Sequence, residues 1–274
     1  MPEIQLEQGL LRYQDCGSGP CVLLVHGLFV DSRVWDPLVS EIEEQVRCVR
    51  VDLPLGAHRV PMNNVADLSP PGLARMIAEF IERLQLDDVT VVGNDTGGAL
   101  CQILCANHPE LVGRLVLTNC DAFENFPPRV AKLIEAIGAH VPGSIAGLDL
   151  VLRVRLLRKA SLMVAPLTTR PLPDELLSAW FSSLHDPRVR ADLRAVLQGI
   201  SSKHTLAAAE RLRAFDRPAL IVWGARDWGF PVSDAERLAE TLPCSRLEIV
   251  EDARTYVQFD QPQRLADLLL EHVG

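Results

Sequence analysis

The chain has 274 residues, 48% of them hydrophobic, and a formal net charge of −9. That length accommodates one α/β domain with an embellishment, or two small domains. The acidic balance argues against the basic surface that nucleic acid selects, and no apolar run reaches the length of a membrane span.

In chain order, Ile4–Leu6 and Leu10–Tyr13 read as an antiparallel hairpin. CVLLV at 21–25, VRCVRVDL at 46–53, VTVV at 89–92, RLVLT at 114–118, ALIVW at 219–223 and RLEIV at 246–250 read as strands. Their near-continuous apolar character suits a parallel sheet covered on both faces. Helical patterns lie between them. In LSPPGLARMIAEFIERL, Ser69 is placed to cap and Pro70 to occupy the first turn, and Leu73, Met76, Ile77, Phe80, Ile81 and Leu84 form one apolar stripe. This alternation predicts a doubly wound, mostly parallel α/β sheet.

The alternation breaks between about 122 and 213, a helix-like stretch interrupted by prolines. The expected division is a core of residues 1–121 and 214–274 with a helical lid (cap) of residues 122–213 over the C-terminal edge of the sheet, where open α/β folds bind ligands. Within residues 127–170, Arg129, Lys132, Arg153, Arg155, Arg158, Lys159 and Arg170 face only Glu135 and Asp149. A solvated helical face accounts for that excess; an anionic substrate or a membrane surface is the alternative. Seven cysteines without repeating spacing, and an N-terminal MPEIQLEQG lacking the pattern of a signal peptide, lead to the expectation of a reducing, cytoplasmic location. Cys101 and Cys105 read as packed core thiols rather than metal ligands.

Gly93-Asn94-Asp95-Thr96-Gly97 follows the strand VTVV and precedes the helical GALCQILCANH. Strand, sharp turn and helix form the context of a nucleophile elbow. The bend thrusts the central side chain outward and needs glycine two residues to either side; both are present. The N–H of Thr96 opens a helix and can donate toward developing negative charge. The plainer alternative is a turn whose aspartate caps the helix.

With these residues in place the chain resembles the α/β-hydrolase superfamily over nearly its whole length. His26-Gly27 after CVLLV resembles the oxyanion loop, Asp227 in VWGARD the triad acid, and DARTYVQFDQP at 252–262 the stretch that holds the catalytic histidine. An aspartate at the elbow resembles the branch of haloalkane dehalogenases and epoxide hydrolases. There a carboxylate attacks carbon, and a histidine activates water to release the alkyl-enzyme ester.

The resemblance is incomplete. Thr255 stands at the histidine position, and its hydroxyl is no general base near neutral pH. None of the seven histidines lies in the loop after RLEIV. Thr96 replaces the tryptophan that follows a dehalogenase nucleophile, and Leu28 replaces the asparagine after His-Gly. Tyr13 and Tyr256 lie outside the lid, where epoxide hydrolases place their acid tyrosines. Trp180 is a weak substitute halide donor. A replacement base is sought in His58, or in the lid histidines His140, His185 and His204; His26 is read chiefly as an anchor of its loop. Asp121, after RLVLT, is a further candidate acid.

The leading expectation is a hydrolase in which Asp95 attacks a small apolar ester, epoxide or alkyl halide, with Asp227 and Thr255 in the triad positions. Leu28 or Phe29, with Thr96, would form the oxyanion hole. A lyase or isomerase using Asp95 as general base, and a binding protein without turnover, are the alternatives. No cofactor and no metal site is implied. The expected partner is a small-molecule substrate; the oligomeric state stays open, a homodimer included.

Overall fold

The structure is a computed structural model that describes residues 1–129, 131–161 and 165–274. Eight strands form one sheet: β1 (Glu3–Leu6), β2 (Gly9–Cys16), β3 (Cys21–Val25), β4 (Arg47–Asp52), β5 (Thr90–Asp95), β6 (Arg114–Cys120), β7 (Ala219–Gly224) and β8 (Ser245–Val250). Their spatial order is β1-β2-β4-β3-β5-β6-β7-β8. β2 is antiparallel to β1 and to β4, and every later pairing is parallel. The expected doubly wound, mostly parallel sheet is therefore present. The N-terminal hairpin extends further than its hydrophobic pattern suggests, because β2 also pairs with β4 out to Cys16 opposite Cys48.

The central strands are apolar because they are covered on both sides; Val22 to Val25 are fully buried. Helices α1 (Asp36–Ile42), α2 (Pro70–Arg83) and α3 (Thr96–Asn107) follow β3, β4 and β5. In α2 the predicted cap is made: the Ser69 side chain accepts from Gly72 N at 3.3 Å, and the stripe from Leu73 to Ile81 is buried. Helix α3 has no polar face, since Thr96 through Cys105 are all buried. It sits between β5 and two helices, α2 and α9 (Ser202–Leu212).

Between β6 and β7 come α4 (Lys132–His140), α5 (Ser144–Leu152), α6 (Arg155–Lys159), α7 (Asp174–Phe181), α8 (Pro187–Gly199) and α9. α4 packs on α8, and α5 on α6 and α8, whereas α9 packs on α3 and on α10 (Val232–Thr241) beside the sheet. α11 (Val257–Asp260) and α12 (Pro262–Val273) complete the chain against α1.

Cys48, Cys101, Cys105 and Cys120 are buried, and all seven cysteines are free thiols. Burial pushes the Cys48 thiol up to about 12 and those of Cys101, Cys105 and Cys120 far above their ordinary range.

The chain leaves β3, β5, β6, β7 and β8 at the same edge of the sheet. His26, Asp95, Asp121, Asp227 and Thr255 all lie at or just beyond those strand ends.

Candidate active site

Asp95 has φ +55° and ψ −133°, a conformation that side chains other than glycine rarely adopt and that costs on the order of 1–3 kcal/mol. The flanks hold it there. A Cβ on Gly97 would lie 2.3 Å from the Val25 carbonyl oxygen, so β3 and the start of α3 can approach only with glycine at that position. A Cβ on Gly27 would lie 2.3 Å from Asp95 Oδ1, so the His-Gly loop must also be bare where it passes the carboxylate. Asn94 fixes the bend from behind. Its Nδ2 donates to the carbonyls of Asn119 and Thr255 at 3.1 and 2.8 Å, tying three strand ends together.

The Asp95 carboxylate faces two backbone donors. Oδ1 accepts from Thr96 N at 2.6 Å and from Leu28 N at 3.3 Å. The two loop candidates thus separate. The N–H of Leu28 points at Asp95, while that of Phe29 donates to Leu55 O at 2.8 Å and is not available as an oxyanion donor. Phe29 contributes its side chain to the cavity wall instead. His26 anchors this loop. Its Nε2 accepts from Leu53 N at 2.9 Å, so Nδ1 carries the proton and donates to Gly27 O at 2.9 Å. Complete burial lowers its pKa and keeps the ring neutral.

Asp227 is the best-satisfied acid. Oδ1 accepts from the N–H groups of Gly229 and Phe230 at 2.8 and 3.1 Å; Oδ2 accepts from Thr255 Oγ1 at 2.7 Å and Asn119 Nδ2 at 3.0 Å. Thr255 therefore meets the acid from the position that the resemblance gives to histidine. Burial raises the Asp227 pKa, and these four donors oppose the rise.

A cavity of about 200 Å³ opens in front of Asp95, lined by Leu28, Thr96, Asp121, Glu135, Asp227, Trp228, Phe230 and Thr255 among others. Pro128, Ala131, Ile134, Glu135, Pro166 and Leu167 come from the segment between β6 and β7. No histidine, lysine or arginine is among the described residues of the wall. Four carboxylates are. Asp121 Oδ2 accepts from Thr96 Oγ1 at 3.1 Å, but its buried Oδ1 has no partner. Glu135, on α4, likewise keeps a buried Oε2 without a partner.

Burial raises the Asp95 pKa against the two backbone donors. Asp121 is driven well above the carboxylate range by burial, then by the charges of Asp95 and Glu135. Glu135 is pushed up to about 8 by burial and by Asp95. Carboxyls so placed cannot all be ionised at neutral pH, and protonated acid groups remain in the cavity.

The candidate histidines lie elsewhere. His58 Nε2 pairs with Asp192 at 3.1 Å and its Nδ1 accepts from Gly56 N at 3.3 Å, outside the cavity wall. His140, His185 and His204 do not reach the wall either; His185 faces Asp149 at 3.3 Å. Trp180 is fully buried, and its indole N–H donates to Asp31 at 2.8 Å, so it presents no halide donor to the cavity. The sequence reading missed Glu135, counted there only as a charge, and Asn94. The partial signal for Asn94 was its place inside the elbow motif; Glu135 had none.

A family model described as alpha/beta hydrolase fold matches residues 20–262. Haloalkane dehalogenase 2 of Mycobacterium tuberculosis is 26% identical over 286 residues, covering 97% of this chain and 92% of its own. A monoacylglycerol lipase of Bos taurus is 24% identical over 269 residues, covering 94% and 76%. The solved structure of the epoxide hydrolase CorEH superposes with a TM-score of 0.81 at 19% identity, covering 99% of this chain and 98% of that one. The turn at Asp95, the His26-Gly27 loop and Asp227 after β7 thus occur in a chain matched almost from end to end, and this protein belongs to the alpha/beta hydrolase fold family.

Proposed function

We propose that the protein is a hydrolase in which Asp95 is the nucleophile and the helical segment between β6 and β7 is a lid. The observation that carries this reading is the hold on Asp95 Oδ1 by the N–H groups of Leu28 and Thr96. Such a hold fixes the carboxylate and leaves Oδ2 to attack. It also keeps in place the two donors that would stabilise an oxyanion when water later adds to Asp95 Cγ.

Within the ester, epoxide and alkyl halide classes, the acid side chains favour an epoxide. Among the described residues of the wall there is no side-chain amide, and the indole of Trp228 donates through Nε1 to Pro166 O at 3.4 Å rather than to a departing halide. A protonated Glu135 can instead do what the missing lid tyrosines would do. Oδ2 of Asp95 bonds to a ring carbon, the carbon–oxygen bond of the epoxide breaks, and the oxygen takes the Glu135 proton. Glu135, now ionised, accepts a proton from water as that water adds to Asp95 Cγ. Collapse breaks the bond from Cγ to the product oxygen, which takes the proton of the new Asp95 carboxyl; this returns the carboxylate, leaves Glu135 protonated and releases a diol. Asp227 and Thr255 hold the loop after β8 and are not asked to move a proton.

The test is intact mass of wild type and Asp95→Asn after exposure to small apolar epoxides, with product assayed in parallel. The expected result is diol formation and a transient adduct of one epoxide mass, both lost in Asp95→Asn. Unchanged diol formation by Asp95→Asn would refute the nucleophile. The raised pKa of Asp95 also supports a second reading, general-base chemistry in a lyase or isomerase. That reading predicts substrate loss with no adduct and no oxygen taken from labelled water.

A further inference from the structure

The segment between β6 and β7 carries an apolar surface that no described residue covers. Among the described residues, nine of the thirteen large hydrophobic side chains that are more than a third exposed fall between residues 133 and 157. Leu133, Ile137 and Val141 run along α4 and its end at 71%, 42% and 48% exposure; Leu150, Val154 and Leu156 on and between α5 and α6 reach 62%, 51% and 75%. These three helices are neighbours. Scattered exposed apolar residues need no explanation, but a cluster of this kind marks a surface that meets something apolar.

Charge indicates what that is. The whole chain is acidic, yet this segment is basic. Lys132 and Lys159 are exposed and form no ion pair among the described residues, while Arg153 and Arg155 are exposed around partners on their own segment. The carboxyl of Glu135 points inward, into the cavity wall. A second copy meeting the same face would set cations against cations. Apolar side chains flanked by lysine and arginine on short helices match the acyl boundary and anionic headgroups of a lipid surface. Among the described residues no helix is long and apolar enough to cross a membrane, so contact would be in the plane of the surface. The patch also adjoins the cavity: Ile134, on the same helix, is 38% exposed and lines the wall before Asp95.

We propose that α4, α5 and α6 dock on an anionic lipid surface, with the cavity mouth facing the lipid, so that an amphiphilic substrate can enter from the bilayer. The entry of substrate rests on the hydrolase reading above; the docking does not.

The experiment is flotation of the full chain with vesicles of phosphatidylcholine alone and with added phosphatidylglycerol, at low and high salt. Binding is expected to the anionic vesicles, weaker at high salt, and little to the neutral ones. Leu133→Glu combined with Leu156→Glu should abolish it, and Lys132→Glu with Lys159→Glu should weaken it by about 25-fold or more, from roughly fivefold for each lysine charge lost. Ile249→Glu, at an exposed apolar position on β8, should leave binding intact. Circular dichroism checks that each variant is folded. Absence of binding to anionic vesicles overturns the proposal. So does a concentration-dependent dimer that Leu156→Glu splits, in a protein that does not float. Diol formation from soluble epoxides is read alongside: flotation without any turnover sinks the hydrolase reading alone, and turnover without flotation sinks the docking alone.

Discussion

Thr255 donates to Asp227 Oδ2 at 2.7 Å and lines the cavity, so on the proposed reading the place that the resemblance gives to the base holds a group that cannot take a proton. Thr255→His would set an imidazole between the existing acid and the cavity. If Asp95 forms an ester, single-turnover kinetics should show its release accelerated by about 10²–10⁴-fold, the usual range for a positioned acid–base group. Glu135→Gln argues the other side. In the wild type, release of the ester should rise with pH as Glu135 ionises, at a pH below the free protein's value of about 8 because esterified Asp95 no longer carries the charge that helps raise it. The variant should form the adduct more slowly, having no acid proton for the epoxide oxygen, and once it is formed should lose that rise and retain it for longer, as followed by intact mass across pH 6–9. The two residues also show what a sequence can carry at this scale. The place of Thr255 in the cavity wall was legible because its loop follows β8 at a fixed place in the order of strands. Glu135 was not, because a single carboxylate on a helix looks like solvent-facing charge until the helix is laid over the elbow. Leu28 and Phe29 could not be separated by sequence, since the difference lies in whether a carbonyl from the loop after β4 takes the N–H.

At the scale of elements, the turn from β5 to α3 depends on contacts with β3. Gly97→Ala would press a methyl group into the backbone of Val25 and His26, where there is no flexible neighbour to yield. Chemical denaturation should show a loss of about 1–3 kcal/mol or more, the cost of overpacking, with activity lost out of proportion as Asp95 shifts. Ser69→Ala should cost only about 1 kcal/mol, because it removes one capping bond from α2 and leaves the buried stripe intact. The elbow and α2 were readable because their determinants are local: glycine spacing in one, a cap and an apolar period in the other. The insertion was less readable. Its prolines announce breaks without saying which helix rests on the sheet, and α9 joins α3 through long-range packing that no local pattern reveals.

At the scale of the molecule, the cavity carboxyls make folding sensitive to pH in an unusual direction. Their pKa values are raised on folding, so the native state binds protons that the unfolded chain has released. For Glu135 this holds from its ordinary value near ~4.3 up to about 8, and stability falls as pH rises through that window, by at most about 1.4 kcal/mol per pH unit. Thermal unfolding from pH 5 to pH 9 should show the melting temperature falling toward the alkaline end, and Glu135→Gln should flatten the slope. The sheet that sets this cavity was legible almost strand by strand, because buried parallel strands are continuous apolar runs. The field inside the cavity was not, because it arises only when acids from three strand ends and a distant helix share one largely buried space.

The arrangement of thiols has a practical consequence for trapping chemistry. Cys101, Cys105 and Cys120 sit behind the elbow, sealed from solvent and held in their unreactive protonated form, and Cys48 is likewise buried. Cys244 alone among the seven is openly exposed. An electrophile offered to the protein thus meets one openly exposed competing thiol, on the loop before β8, and Cys244→Ser would silence it. In that background, a covalent label recovered on the peptide containing residues 93–97 would report on the carboxylate with little competing signal.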